Sequence, residues 1–131
     1  MTSGARVSGV PTIALQNYKI DSKPHLTDDD VRELRHGHYA AISYLDAQVG
    51  KVLNELDRSG LSDKTIVVFT SDHGYHLGEH DFWQKMSLHE ESTRVPLIIA
   101  GPGITPGETS ALAEAIDLYP TWCELAGLPV P

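Results

Sequence analysis

From residue 31 the stripe-forming positions recur in steps of three and four: Val31, Leu34, His38, Ile42, Leu45, Val49, Val52 and Leu56. One stripe at that spacing predicts a long amphipathic helix. Thr27, followed by Asp28, Asp29 and Asp30, marks its start. A threonine hydroxyl can accept from the free amides of the first turn, and carboxylates there complement the positive end of the helix dipole. Asp46, Lys51, Glu55 and Arg58 fall largely off the stripe and face water, and Gly60 supplies a left-handed stop. Gly37 and Gly50 each cost roughly 1 kcal/mol relative to alanine, which suggests close packing against a neighbour.

The pattern then changes period. Thr65, Ile66, Val67, Val68 and Phe69 are β-branched or apolar without alternation, as expected of a strand buried on both faces in a parallel sheet covered by helices. Leu61 to Lys64 is a short turn before it, and Val95 to Ala100 is a second apolar strand. Gly101, Pro102, Gly103, Pro106 and Gly107 break the chain into turns, and Ser110 to Ile116 reads as a short strand. A last helix runs over Leu118 to Ala126, with Asp117 as its cap, Pro120 in its first turn and Gly127 stopping it. Met1 to Lys23 holds no period for long and reads as a loop, with Pro11 to Leu15 as a weak strand candidate. Helix, tight turn and buried strand make half of a crossover unit, and the fold class is α/β with a mostly parallel sheet flanked by helices.

Composition narrows the partners. Ten Lys+Arg against eighteen Asp+Glu give a formal net charge of -8, which argues against a surface that neutralises nucleic acid phosphates or anionic lipid. The apolar runs are too short to span a bilayer, and the N-terminus lacks the charged-then-apolar pattern of a secretory signal. The single cysteine, Cys123, excludes an internal disulfide and reads as a small buried apolar side chain.

Between the two strands lies a loop dense with chemistry: Asp72, His73, His76, Glu79, His80, Asp81, Lys85, His89, Glu90 and Glu91. Its length alone is a functional hint. Asp72 and His73 are adjacent at a strand end, where ligands bind in open α/β sheets, and Gly74 permits the turn that lets both reach one ion. From residue types alone zinc or manganese stays open. His76 and His80 would share a face if that stretch were helical, but the pattern is not HExxH, and loop histidines bonded to backbone are the favoured reading for either alone. Lys85, after Phe82 and Trp83, is suited to stabilising an anionic oxygen, against the alternative of a solvated surface lysine. There is no GxSxG elbow around Ser71, and GPGITPG lacks both the Walker lysine and the GxGxxG spacing.

Four blocks, LRHGHYAAISYLDAQVGKVLNEL, TIVVFTSDHGYHLGEHDFWQK, RVPLIIAGPG and DLYPTWCELAGL, together resemble the C-terminal part of the catalytic domain of the sulfatase family, within the alkaline phosphatase superfamily. GYHLGEHDFWQK is most similar to the iduronate-2-sulfatase branch. The resemblance implies a partial alkaline-phosphatase-like sandwich over residues 27–131, after an irregular segment 1–26. It implies that Asp72 and His73 are ligands of a divalent cation, calcium first and magnesium second. Lys85 would be the catalytic sulfate contact and His76 would line the substrate pocket.

The implied reaction is hydrolysis of a sulfate ester of a small molecule or glycan, in a periplasmic, secreted or lysosomal setting. The family's C/S-x-P/A-x-R motif, which matures to formylglycine, is absent from this sequence, and Cys123 is followed by Glu124, Leu125 and Ala126. The expectation is therefore a fragment that carries one wall of an active site, turns over little alone and self-associates through an exposed sheet edge. A phosphodiesterase or phosphonate hydrolase of the same superfamily, and an inactive metal-binding module, are the alternatives.

Overall fold

The computed structural model describes residues 26–130. In chain order these form helix α1 (Asp28–Arg58), a 3-10 turn (Ser62–Lys64), strands β1 (Val67–Thr70) and β2 (His76–Leu77), a second 3-10 turn (Glu79–Asp81), strand β3 (Trp83–Gln84), helix α2 (Glu90–Thr93), strand β4 (Leu97–Ala100) and helix α3 (Ala115–Leu125). The N-terminal segment and its candidate strand at Pro11 to Leu15 lie outside the described residues.

Helix α1 starts and stops where its sequence directs. The Thr27 Oγ1 accepts from the Asp30 amide at 3.2 Å, and the Asp30 carboxylate accepts from the Thr27 amide at 2.7 Å. These reciprocal bonds satisfy amides that the first turn leaves free. The hydrogen bonds from Thr27 hold the Asp30 carboxyl below its ordinary value. At the other end Gly60 takes φ +65°, and the Leu61 amide reaches back to the Leu56 carbonyl at 3.2 Å, closing a Schellman-type stop.

The stripe itself is only partly covered: Val31, His38, Val49 and Leu56 are half-buried, whereas Leu34, Ile42, Leu45 and Val52 are exposed. Gly37 and Gly50 meet nothing within 4 Å, so the close packing expected at these glycines is not what the structure has.

The chain divides into two units. The first runs up to Val52 and resumes over Thr70–Pro96; the second comprises Leu53–Phe69 and the chain from Leu97 onward. Among the described residues there are two two-stranded sheets, β1 with β4 and β2 with β3. The second pair is antiparallel, with His76 opposite Gln84 and Leu77 opposite Trp83.

Two expectations about the strands are corrected. The both-face burial expected of β1 and β4 is not met, since Phe69, Leu97 and Ile98 are exposed. A ladder of two strands has no inner member, and both of its strands are edges. Ser110 to Ile116 is not a strand: α3 begins at Ala115, because Glu114 is its N-cap and the Glu114 amide donates to Asp117 Oδ2 at 3.1 Å. Asp117 thus serves from inside the first turn, and Pro120 falls one turn deeper than expected. Cys123 is buried on α3, as its surroundings in the sequence suggest.

Candidate functional site

Asp72 and His73 follow β1 directly and belong to the first unit. His73 sets its Nδ1 2.7 Å from its neighbour's carbonyl, that of Gly74. A carbonyl can only accept, so Nδ1 carries the proton and Nε2 is left as a bare lone pair. That Nε2 lies 3.6 Å from Asp72 Oδ1. The carboxylate side chain is 84% exposed and the imidazole 33%, so one unprotonated nitrogen and one charged oxygen are open to solvent side by side. A histidine whose second nitrogen is fixed by a carbonyl is the usual arrangement of a metal-ligating imidazole. Among the described residues no group of three or more His, Cys, Asp and Glu converges as a metal site, and Asp72 and His73 stand as a pair.

Gly74 holds this pair against a neighbouring segment. Its amide donates to the Ser92 carbonyl at 2.8 Å. A Cβ added there would lie 2.0 Å from the Glu91 carbonyl oxygen, so the close approach requires glycine. His76, expected to line a substrate pocket, is fully buried and offers a substrate no surface. Its Nε2 lies 2.7 Å from Ser87 Oγ, and Ser87 Oγ in turn donates to Ser92 Oγ at 2.9 Å. Phe82 and His89 pack on the His76 ring at centroid distances of 5.2 and 5.9 Å. Burial pushes the His76 pKa down, against the opposing charge of Glu91.

His76 and His80 do not share a helical face, since His76 is in β2 and His80 is in the 3-10 turn with φ +56°. The His80 ring stacks on that of His89 at 4.5 Å, and its Nε2 lies 3.5 Å from Glu91 Oε1. Glu79 is held by the chain beside it, with its Oε2 accepting from the Leu77 amide at 2.6 Å. Burial would raise the Glu79 carboxyl, but the amides of Leu77 and Glu79 and the charge of Arg35 outweigh it, and its pKa is lowered.

Lys85 is exposed just after β3, and the preceding Gln84 takes φ +77°. The Lys85 carbonyl accepts from the Ser87 amide at 2.9 Å. Sequence reasoning did not single out Ser87, Ser92 or Arg35; two serines in a polar run and one arginine on a helix carry no spacing that would mark them. A groove of ≈ 280 Å³ in the second unit is lined by Leu53, Leu56, Val67 and Gly101 among others, and by none of the candidate residues.

A strand-end carboxylate and imidazole followed by a lysine on a tightly bound loop define, within an α/β chain, a site for a cation and an anion together. The family comparison agrees with that class: the sulfatase model matches residues 13–128, and the chain belongs to the sulfatase family. A choline-sulfatase of Rhizobium meliloti (strain 1021) is 46% identical over 103 residues, 79% of this chain and 20% of that protein. Arylsulfatase K of Xenopus laevis is 38% identical over 122 residues, 92% of this chain and 23% of that protein. Iduronate 2-sulfatase of Mus musculus is 39% identical over 132 residues, covering 81% and 24%. The chain thus spans about a quarter or less of the length of the curated relatives it matches.

Among solved structures, the Bacteroides fragilis protein yidJ superposes with a TM-score of 0.71 at 35% identity, covering 95% of this chain and 28% of that one. A protein solved in complex with its substrate, D-glucosamine-2-N,6-O-disulfate, superposes with a TM-score of 0.65 at 39% identity, covering 69% and 19%. Among the described residues no helix is long and apolar enough to cross a membrane.

Proposed function

We propose that this chain forms one wall of the active site of a sulfuric ester hydrolase. In this reading Asp72 and His73 hold a divalent cation, calcium first and magnesium second, and Lys85 contacts the sulfate. The observation that carries it is the pair itself: Asp72 Oδ1 and His73 Nε2 lie 3.6 Å apart, with His73 Nδ1 already committed to Gly74.

The donor set fits such a cation on one side. An exposed carboxylate suits calcium and magnesium, which prefer oxygen, and the neutral imidazole adds a nitrogen without adding charge. When bound, the cation draws charge from the sulfate oxygens. Lys85 contributes a compact positive charge with three N–H donors, whose hold on the sulfate strengthens as the ester bond lengthens and negative charge gathers. The sequence contains no C/S-x-P/A-x-R segment, so no step of this chain's chemistry passes through formylglycine. A sulfated carbohydrate substrate is supported by the relative solved with D-glucosamine-2-N,6-O-disulfate. The family resemblance supports a periplasmic, secreted or lysosomal setting.

The test is calorimetric. Calcium injected into this chain should release heat that is lost in Asp72→Ala. Inorganic sulfate, titrated with calcium present, should bind at least roughly tenfold more weakly to Lys85→Ala. Unchanged binding of both ions by the two variants would overturn the assignment.

A further inference from the structure

We propose that His76 is a positioning residue, fastening the segment that carries Lys85 to the segment that carries Asp72 and His73 through the hydroxyl of Ser87. The proposal rests on the reading of those three residues given above and adds how they are held.

Hydroxyl arithmetic fixes the direction of each bond. A serine hydroxyl has one proton to give and two lone pairs to fill. Ser87 gives its proton to Ser92 Oγ at 2.9 Å and accepts from the His89 amide at 3.2 Å. One acceptor position is left, and His76 Nε2 lies 2.7 Å away. His76 Nε2 therefore carries the proton and donates, which leaves Nδ1 as the bare nitrogen. Nδ1 is buried without a hydrogen-bond partner, and a lone pair left unfilled costs less than a stranded N–H. Burial disfavours a proton there, and the lowered pKa of His76 agrees.

Three segments meet at this hydroxyl. His76 lies three residues after His73. Ser87 lies two residues after Lys85, and its amide closes a tight turn onto the Lys85 carbonyl at 2.9 Å. Ser92 belongs to α2, and its carbonyl accepts from the Gly74 amide at 2.8 Å, so α2 is tied to the strand end from a second side. Gln84, in the left-handed region at φ +77°, turns the chain just before Lys85. A non-glycine residue persists there only where its surroundings hold it, and the Ser87 hub supplies such a hold two residues past Lys85. A flexible lysine gains from such anchoring because its backbone origin is fixed relative to its target.

The test uses hydrogen exchange and ion binding on the same chain. In His76→Leu, which keeps bulk and removes the donor, exchange protection of the Gly74 and Ser87 amides should fall at least roughly tenfold. Protection in the middle of α1 should stay unchanged. His76→Gln, whose amide can donate to Ser87, should restore most of that protection. The 15N ring shifts of parental His76 should report the Nε2–H tautomer.

Protection unchanged in a folded His76→Leu, or a Nδ1–H tautomer, would overturn the proposal. A global loss of protection in both His76→Leu and His76→Gln would also overturn it, since the ring would then be only a core filler. Sulfate titration of the variants is read separately. If Lys85→Ala does not weaken sulfate binding, the sulfate assignment fails while the exchange result still decides the fastening. If Lys85→Ala weakens it and His76→Leu does not, the fastening has no bearing on the site.

Discussion

The Gly74 Cα faces the Glu91 carbonyl so closely that any side chain at position 74 would enter that oxygen, since its Cβ would lie 2.0 Å away. The strand end that carries Asp72 and His73 is therefore set against α2 at a distance only glycine allows.

Gly74→Ala should destabilise the chain by about 1–3 kcal/mol, since the new methyl must displace backbone rather than a flexible side-chain tip. A thermal midpoint that equals the parent's would show that the two segments separate freely.

Thr27→Ala removes one half of the reciprocal cap of α1 and should cost about 1 kcal/mol. Chemical denaturation monitored by helical circular dichroism measures it, and a change confined to the first turn should leave the Lys85 segment's exchange protection as it was.

The pH dependence of stability has a sign fixed by His76. Its folded pKa is pushed down by burial, whereas the unfolded side chain titrates near its ordinary value of about 6.5. Between the two values the unfolded chain binds the extra proton, so stability is present above about pH 6.5 and is lost as the pH falls below it. Thermal midpoints taken from about pH 7.5 down to about pH 5 should decline, and His76→Gln should show a shallower decline. Parallel curves for the two proteins would remove His76 as the source.

The apolar residues left open on α1 and β4, among them Ile42, Val52 and Ile98, predict association that grows with concentration. Light scattering across a dilution series should show a rising mean mass, and Ile98→Lys on the open strand should reduce it. A sharp monomer at every concentration would contradict this.

Much of the frame was legible because local rules decide it. Thr27 and the three aspartates fixed the start of α1, and Gly60 fixed its end, since capping and left-handed geometry depend on neighbours a few residues away. The strands Val67–Thr70 and Leu97–Ala100 fell within the apolar runs read as strands. What stayed hidden depends on distant or opposing residues. The hairpin of His76 and Leu77 with Trp83 and Gln84 is built around His80 and Gln84 in left-handed conformations, which no turn-forming residue type announces. The burial of His76 comes from Phe82, Ser87 and His89, whose convergence is a property of the folded loop. The adjacency of Asp72 and His73 needed no folding to be seen; the commitment of His73 Nδ1 to Gly74 did.

Arg35 gives the same loop a longer reach. Its Nε donates to the Leu77 carbonyl at 2.9 Å, across 42 positions of sequence. The first half of α1 and the hairpin that precedes Lys85 are thereby members of one cooperative unit. Thermal opening of the hairpin strands a guanidinium donor on the helix, and a substitution at Arg35 would be felt as fluctuation around Leu77, far along the chain from the residue changed.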